Sequence, residues 1–251
     1  MASLQEIVAF LDAELRIAEI PDYSGAVNGL QLANGGTVSK VAAAVDASLP
    51  VVEAAVAAGA DLLVVHHGMF WQGAQPLTGA FYRKIKSAMD GGLAIYSAHL
   101  PLDVHPEMGN NMLLMRELGF YPNGTFFDWK GTRLGLTANV EISRDELLER
   151  VATAVGGAVH LCPGGPERVR KIGVVTGGAG SEVALCAREG IDTFITGEGP
   201  HWSYPLAEEL GINLLYGGHY ATETFGVKAL ARRLGGDFGL TWTFMDHPTG
   251  L

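Results

Sequence analysis

The alternation of short apolar runs with helical patterns is the feature that most constrains the fold of this chain. The runs at 40–45, 61–65 and 93–98 consist largely of Ala, Val, Leu and Ile, and no polar residue recurs at every second position. Such strands are typical of parallel sheets that helices cover on both faces, because neither face meets water. The pattern therefore predicts an α/β fold with mostly parallel sheets.

The α/β pattern is interrupted once and then restarts, which predicts two domains. Residues 119–129 are rich in Gly, Pro and aromatic side chains, and they are interpreted as a linker. The first predicted domain comprises residues 1–127 together with 217–251, and the second comprises 128–216. The return of the last helix and strand to the first domain is a hypothesis that the sequence alone cannot test. No internal repeat is obvious in the sequence.

Composition and charge narrow the class of function. The 251 residues are 48% hydrophobic, and the formal net charge of -10 argues against a nucleic-acid-binding protein, which needs clustered Lys and Arg. The apolar stretch 41–65 contains three acidic residues, so we do not expect it to span a membrane. The N-terminus lacks the basic and apolar regions of a signal peptide. Cys162 and Cys186 form no CxxC pattern, which predicts structural thiols in a reducing cytoplasm.

Histidines follow two of the predicted strands. His66 and His67 come directly after the second strand, and His99 follows the third, with Asp103 close behind. Ligands bind at the carboxyl ends of parallel strands, and at such an end both adjacent histidines can reach one crevice. The alternative is that one is core and the other exposed, because neighbours in a regular strand face opposite ways. Asp103 is interpreted as a metal ligand or as a group that orients one. His99 and His105 can each be a loop histidine in contact with solvent, and this interpretation is preferred for His105.

Two later strand ends carry further candidates. His219 and Glu223 are four residues apart at a helix start, which places them on one helix face; the alternative is an exposed helix cap. Glu198 and His201 follow another strand as candidate acid–base groups or substrate contacts, or as part of a polar surface turn. The Gly-rich segment 177–180 lacks a full phosphate-binding signature and is interpreted as a tight turn. Together the strand ends favour one metal site assembled from distant parts of the chain.

These residues, in this order and spacing, resemble the NIF-three-like family of YbgI-like proteins, homologues of type 2 GTP cyclohydrolase I. The resemblance covers nearly the whole chain, and one small departure is Pro101, where relatives more usually have Thr. It implies two interlinked α/β domains, a dinuclear metal site in the cleft between them, and a homo-oligomer, specifically a toroidal hexamer. It rests on the segments 28–31, 45–48, 65–71, 97–103, 110–111, 196–198 and 218–223.

The resemblance also implies a set of metal ligands: His66, His67, Asp103, His219 and Glu223. In that arrangement Glu223 bridges two divalent transition-metal ions. His67 and Asp103 serve one ion, and His66 and His219 serve the other. Imidazole and carboxylate ligands suit Zn, Fe, Mn, Co or Ni and do not select among them.

Two functions follow from these observations as hypotheses. The leading one is a metal-dependent hydrolase that acts on a small nucleotide-like or phosphorylated substrate, either by opening a purine ring or by cleaving a phosphoester. Glu198 or His201 would transfer protons, and His99 would orient the substrate. The alternative is a non-catalytic metal-binding oligomer that delivers metal or regulates a protein partner.

Overall fold

The computed structural model describes all 251 residues, and the chain divides into two compact units. Unit 1 comprises Met1–Leu102 and Gly226–His247, and unit 2 comprises Asp103–Phe225 and Pro248–Leu251. The chain therefore leaves unit 1, forms most of unit 2, and returns to unit 1 through its last helix and strand.

Helices and strands alternate along most of the chain, as the apolar pattern indicates. No helix is both long enough and apolar enough to cross a bilayer. The helices are α1 (Leu4–Glu14), α2 (Leu49–Ala57), α3 (Gly79–Asp90), α4 (Leu100–Asp103), α5 (Asn110–Glu117), α6 (Arg144–Val155), α7 (Val183–Arg188), α8 (Ser203–Leu210), α9 (His219–Thr222) and α10 (Thr224–Phe238). The strands are β1 (Ala2–Ser3), β2 (Gly29–Leu32), β3 (Thr37–Val38), β4 (Lys40–Asp46), β5 (Leu62–His67), β6 (Ala94–Ser97), β7 (Gly124–Trp129), β8 (Thr132–Ser143), β9 (His160–Pro163), β10 (Arg168–Val174), β11 (Thr193–Thr196), β12 (Asn213–Tyr216) and β13 (Thr241–Phe244).

Unit 1 contains a five-stranded sheet in the order β13-β4-β5-β6-β2. The first four strands are parallel, and β2 is antiparallel to β6. Helices α2 and α3 cover one face, where Val52 of α2 and Leu63 of β5 are completely buried in the same cluster. Ser48 begins α2 by accepting a hydrogen bond from the Val51 N–H, so the chain turns sharply from β4 into the helix.

Unit 2 contains a six-stranded sheet in the order β7-β8-β10-β11-β12-β9. Only the pairs β10–β11 and β11–β12 are parallel, and the other three pairs are antiparallel. The fold is α/β as predicted, but the expectation of mostly parallel sheets is wrong for unit 2, whose sheet is mixed. Antiparallel neighbours need only a hairpin or a loop rather than a crossover helix.

The segment interpreted as a linker is an edge strand. β7 pairs with β8 through a two-residue turn at Lys130 and Gly131, whose φ angles are 50° and 85°. Turns with positive φ at both central residues match the twist of a hairpin. Phe126 of β7 is fully buried and meets Phe194 with ring centroids 6.2 Å apart. Phe126, one of the aromatic residues that suggested a linker, therefore belongs to a core.

The boundaries between the units also differ from those expected at 127 and 217. They fall after Leu102 and after Phe225 instead. The first boundary is earlier because Leu114 and Met115 of α5 are buried in one cluster with Leu147 and Val151 of α6. That cluster belongs to unit 2, so α5 and β7 are assigned there by their packing.

The two units repeat one βαβ arrangement, which the sequence did not reveal. In unit 1 the Asp61 carboxylate accepts from the Lys40 N–H at 3.0 Å, across 21 residues, and Lys40 Nζ donates to the Ala58 carbonyl at 2.6 Å. In unit 2 the Asp192 carboxylate accepts from the Lys171 N–H at 3.1 Å, again across 21 residues, and Lys171 Nζ donates to the Glu189 carbonyl at 2.6 Å. Each unit thus begins its parallel strands β4–β5 and β10–β11 with the same Lys–Asp motif.

Candidate functional site

Three histidines meet at the carboxyl ends of β5 and β6 in unit 1. His66 and His67 end β5, and His99 follows β6. One nitrogen from each ring lies within 4.8 Å of the others. Nitrogens bound to one ion at about 2.1 Å can be at most about 4.2 Å apart, so these rings are within a small rotation of a shared ion. From the sequence, His99 is expected only to orient the substrate. Its position beside His66 and His67 makes it a third candidate metal ligand.

The two adjacent histidines meet although strand neighbours normally face opposite ways. Their ring centroids are 4.8 Å apart. His66 is fully buried, whereas the side chain of His67 is 17% exposed. His67 is the last residue of β5, where the pleat no longer constrains the side chain.

Each of the three rings is held through its Nδ1 atom. His66 Nδ1 lies 3.0 Å from the Ala98 carbonyl oxygen, and His67 Nδ1 lies 2.8 Å from Asp46 Oδ1. His99 Nδ1 lies 2.9 Å from Asp22 Oδ1. Carbonyl and carboxylate oxygens accept hydrogen bonds, so each Nδ1 is placed to donate to its oxygen. Partners of this kind orient metal-binding histidines in proteins.

Asp22 anchors the loop before β2 to the histidine group. Its Oδ2 accepts from Asn28 Nδ2 at 2.8 Å and from the Leu100 N–H at 2.9 Å. Burial raises the pKa of this carboxyl, but the hydrogen bonds from His99, Asn28 and Tyr23 outweigh burial and lower the pKa. Asp22 is therefore ionised at neutral pH. Sequence reasoning missed it, since Asp22 lies far from His99 in the chain and in no strand.

In unit 2 a second group forms at the ends of β11 and β12. His219 Nδ1 lies 2.9 Å from Glu198 Oε1, and His219 Nε2 lies 3.1 Å from Glu223 Oε2. Burial lowers the pKa of His219, but the two carboxylates outweigh burial and raise it to about 9. Glu223 is only 3% exposed. The helix spacing thus brings His219 and Glu223 together, as predicted, and Glu198 is placed to orient His219.

The Gly-rich turn after β10 packs against this second group. Gly177 has φ +70°, and a Cβ atom there would lie 2.2 Å from Glu223 Oε1 and 3.4 Å from His219 Nε2. The Gly177 carbonyl accepts from the N–H groups of Gly197 and Glu198 at 2.8 and 3.0 Å. The turn is tight, as interpreted from the sequence. The glycine is required because the backbone approaches Glu223 closely, which no local pattern could indicate.

The remaining candidates lie elsewhere in unit 2. Asp103 ends α4, and its Oδ1 accepts from Asn110 Nδ2 at 2.9 Å. His201 is exposed on the turn before α8. The prediction that His105 is exposed is wrong, since it is only 9% exposed and its Nδ1 accepts from the N–H groups of Glu107 and Met108 at 3.2 and 3.0 Å. His105 therefore stabilises a turn.

The two cysteines are fully buried, which agrees with a structural interpretation. Burial raises the pKa of both thiols. A thiol in that state is a poor nucleophile at neutral pH.

Comparison with known proteins identifies the family. The family model for Duf34/NIF3 (NGG1p interacting factor 3) matches residues 2–249. The chain belongs to the DUF34/NIF3 family. It is 39% identical over 248 residues to a Deinococcus radiodurans protein named GTP cyclohydrolase 1 type 2 homolog, covering 98% of this chain and 94% of the relative. An Archaeoglobus fulgidus protein of the same name is 41% identical over 249 residues, covering 99% and 100%. Among solved structures, protein YbgI, titled as of unknown function, is similar with a TM-score of 0.92 and 34% identity over both whole chains.

This DUF34/NIF3 chain thus contains groups of His and Glu side chains able to bind a metal ion. In unit 1 the donors are imidazole nitrogens, and in unit 2 they are the imidazole of His219 and the carboxylate of Glu223. Mixed nitrogen and oxygen donors fit divalent transition-metal ions, and the oxygen-only ligand sets typical of Ca²⁺ or Mg²⁺ sites are absent from both groups.

Proposed function

We propose that this DUF34/NIF3 chain is a metal-dependent hydrolase that acts on a small nucleotide-like substrate at a dinuclear centre. The proposed ligands are His66, His67, Asp103, His219 and Glu223, with Glu223 as the bridging group. Zn, Fe, Mn, Co and Ni all fit this donor set. Assembly into a homo-oligomer, a hexamer by family resemblance, is part of the proposal.

One observation carries the proposal. Nδ1 of each of the four histidines, His66, His67, His99 and His219, lies 2.8–3.0 Å from an oxygen acceptor. Core or surface histidines have no need of a common orientation. Four rings that are oriented in this way are typical of metal ligands with their supporting groups.

The chain's own residues supply positioning and proton transfer. Two divalent ions, when bound, supply Lewis acidity and activate water at neutral pH. Asp46, Asp22 and Glu198 hold the imidazole rings in position. Glu198 is also placed to accept or return a proton at His219 Nδ1, at 2.9 Å. His201 lies on an exposed turn, where it would reach a bound substrate only from the solvent side.

The names of the relatives favour a nucleotide substrate. The Deinococcus radiodurans and Archaeoglobus fulgidus proteins are both named as homologues of GTP cyclohydrolase 1 type 2. A cyclohydrolase opens a purine ring by adding water, whereas a phosphoesterase cleaves at phosphorus. The same metal ligands would serve both reactions. The reactions differ in which part of the substrate lies beside the metal site: the purine ring or the phosphate.

The first test is metal content by elemental analysis of tag-free protein. We expect about two transition-metal ions per chain in the wild type and a loss of at least one ion in Glu223→Gln, which keeps the side-chain shape but lowers donor strength. Glu182→Gln, in the short 3-10 helix before α7 of unit 2, is the matched control and should keep the wild-type content. Absence of metal from the wild type, or equal content in Glu223→Gln, would contradict the proposed centre.

The second test is turnover by the metal-loaded protein with GTP and with a phosphomonoester. Metal-dependent release of formate from GTP would support the cyclohydrolase form, and release of phosphate would support the phosphoesterase form. Stable metal binding without turnover of either would favour the metal-delivery or regulatory alternative.

A further inference from the structure

Two exposed aromatic side chains adjoin the three-histidine group of unit 1. Tyr23 is 51% exposed and Trp71 is 38% exposed. The Trp71 ring lies edge-on to His99, with centroids 4.8 Å apart, and edge-on to His67, with centroids 5.8 Å apart. Tyr23 lies 6.1 Å from His99 and 6.5 Å from Trp71, centroid to centroid, and is tilted by 52° to each. The two side chains therefore form an aromatic wall beside candidate metal ligands.

The aromatic wall is held by close backbone packing. A Cβ atom on Gly25 would lie 2.7 Å from the Trp71 carbonyl oxygen and 2.9 Å from its Cα. The loop that carries Tyr23 thus packs directly against the backbone of Trp71. Because only a glycine allows this approach, the position of Trp71 relative to Tyr23 depends on Gly25.

A glutamine ties the same two segments together. Gln31 Oε1 accepts from the Met69 N–H at 2.7 Å, and Gln31 Nε2 donates to the Ala26 and Val27 carbonyls at 3.0 and 2.9 Å. Val27 has φ +42°, which is strained for a β-branched residue. Such strain persists only where surrounding contacts impose it and is frequent near functional sites. The loop is therefore ordered, although its aromatic ring is exposed.

We propose that Tyr23 and Trp71 stack against a planar heteroaromatic ring of the substrate and place it beside His67 and His99. This inference rests on the proposed function and deepens it by naming the substrate class, a purine or a similar nitrogen-containing ring. Exposed aromatic rings are the usual stacking surfaces for bases. Both side chains adjoin His99, so a ring bound there would lie beside the candidate metal ligands rather than on a remote surface.

The test compares two probes that differ only by the base, guanosine 5′-monophosphate and ribose 5-phosphate. Calorimetry on the Zn-loaded protein should show tighter binding of the nucleotide. In Trp71→Leu and Tyr23→Leu the nucleotide affinity should fall about tenfold, because one stacking partner is lost, while the ribose phosphate affinity stays unchanged. Tyr121→Leu is the control, since Tyr121 is 82% exposed in unit 2.

A conservative variant separates stacking from packing. Trp71→Phe keeps an aromatic face and should retain most of the nucleotide affinity. Equal losses in Trp71→Phe and Trp71→Leu would overturn the inference, as would equal binding of the two probes by the wild type. Metal content is measured for every variant, so a failure of the metal centre is distinguished from a failure of stacking. If the wild type binds no metal, the proposed function fails. The stacking role is then tested separately, by comparing how guanosine 5′-monophosphate and ribose 5-phosphate bind to the metal-free protein and its variants.

Discussion

At the scale of single residues, the orientation of the histidines is more informative than their number. His66 is held by a neutral carbonyl, whereas His67, His99 and His219 are held by carboxylates. A carboxylate partner makes the opposite ring nitrogen a stronger base and therefore a stronger metal donor. We infer that the acidic residues Asp22, Asp46 and Glu198 contribute to metal affinity without being ligands.

His219 gives a pH dependence whose sign follows from its pKa. In the metal-free protein the carboxylates raise this pKa from 6.5 to about 9. The ion pairs of protonated His219 stabilise the fold fully below about pH 6.5, and that contribution is lost as the pH rises through 9. Because a metal ion must displace the Nε2 proton, metal binding at pH 8 should release close to one proton from His219.

Calorimetry of Zn binding in buffers of different ionisation enthalpy measures how many protons are released when the metal binds. Glu198→Gln removes one of the carboxylates that raise the pKa, so fewer protons should be released at pH 8 than in the wild type. Identical proton release in the two proteins would contradict the assigned role of Glu198. Glu182→Gln serves as the control for a change of net charge.

At the scale of elements, both units place polar side chains at the carboxyl ends of parallel strands. Asp46 and His67 end β4 and β5 and His99 follows β6, whereas Glu198 and His219 follow β11 and β12. The strands bring together residues that are far apart in the chain. The Lys–Asp motif repeats at the opposite ends of β4–β5 and β10–β11, where the strands begin.

The repeated motif predicts equivalent stability losses in the two units. The Asp61 carboxylate accepts from Ser39 N–H, Ser39 Oγ and Lys40 N–H at 2.7, 2.7 and 3.0 Å. Asp61→Ala and Asp192→Ala should each lower the free energy of unfolding by about 1–2 kcal/mol, since both carboxylates are partly exposed. Urea denaturation measures the loss, and Glu53→Ala on the exposed face of α2 should leave stability unchanged.

The contribution of Asp61 has its own pH window. Burial raises the pKa of Asp61, but the hydrogen bonds from Ser39 and Lys40 outweigh burial and lower it. A lowered pKa stabilises the fold above the unfolded value of about 3.9. The difference between wild type and Asp61→Ala should therefore shrink as the pH falls below 4. A difference that is constant down to acidic pH would show that the charge is not involved.

At the scale of the whole molecule, the five-stranded sheet of unit 1 is completed by β13, the last strand of the chain. β13 pairs with β4 in parallel, so the edge of β4 is covered by a strand about 200 positions later in the sequence. This pairing answers the question that the sequence left open about the last strand. Contacts so distant in sequence form late in folding, because loop closure costs entropy before they contribute.

A backbone substitution at the residue directly after the last strand tests this closure. The Met245 N–H donates to the Ala43 carbonyl at 2.8 Å, and Met245 packs against the core of unit 1. Met245→Pro removes both the hydrogen bond and the packing, whereas Met245→Ala removes only the packing. Met245→Pro should unfold at lower urea concentration, with about 1–2 kcal/mol less stability than Met245→Ala. Equal stabilities would mean that the strand pairing contributes nothing.

The sequence by itself determined the α/β class, the buried strands and the nature of the donors at the strand ends. Apolar runs and the spacing of His219 and Glu223 are local patterns, and local periodicity reports directly on strands and helices. The family resemblance could also be found without coordinates, since it rests on the order and spacing of short segments along this chain.

Only the tertiary structure decided which partners these residues have. Asp22 reaches His99 across 77 residues and Asp46 reaches His67 across 21, and neither separation has a local signature. The mixed sheet of unit 2, the hairpin at Lys130 and the fit of Gly177 against Glu223 are likewise long-range or turn-dependent. Local sequence determines which side chains are available, whereas strand order and close backbone approach determine which of them meet.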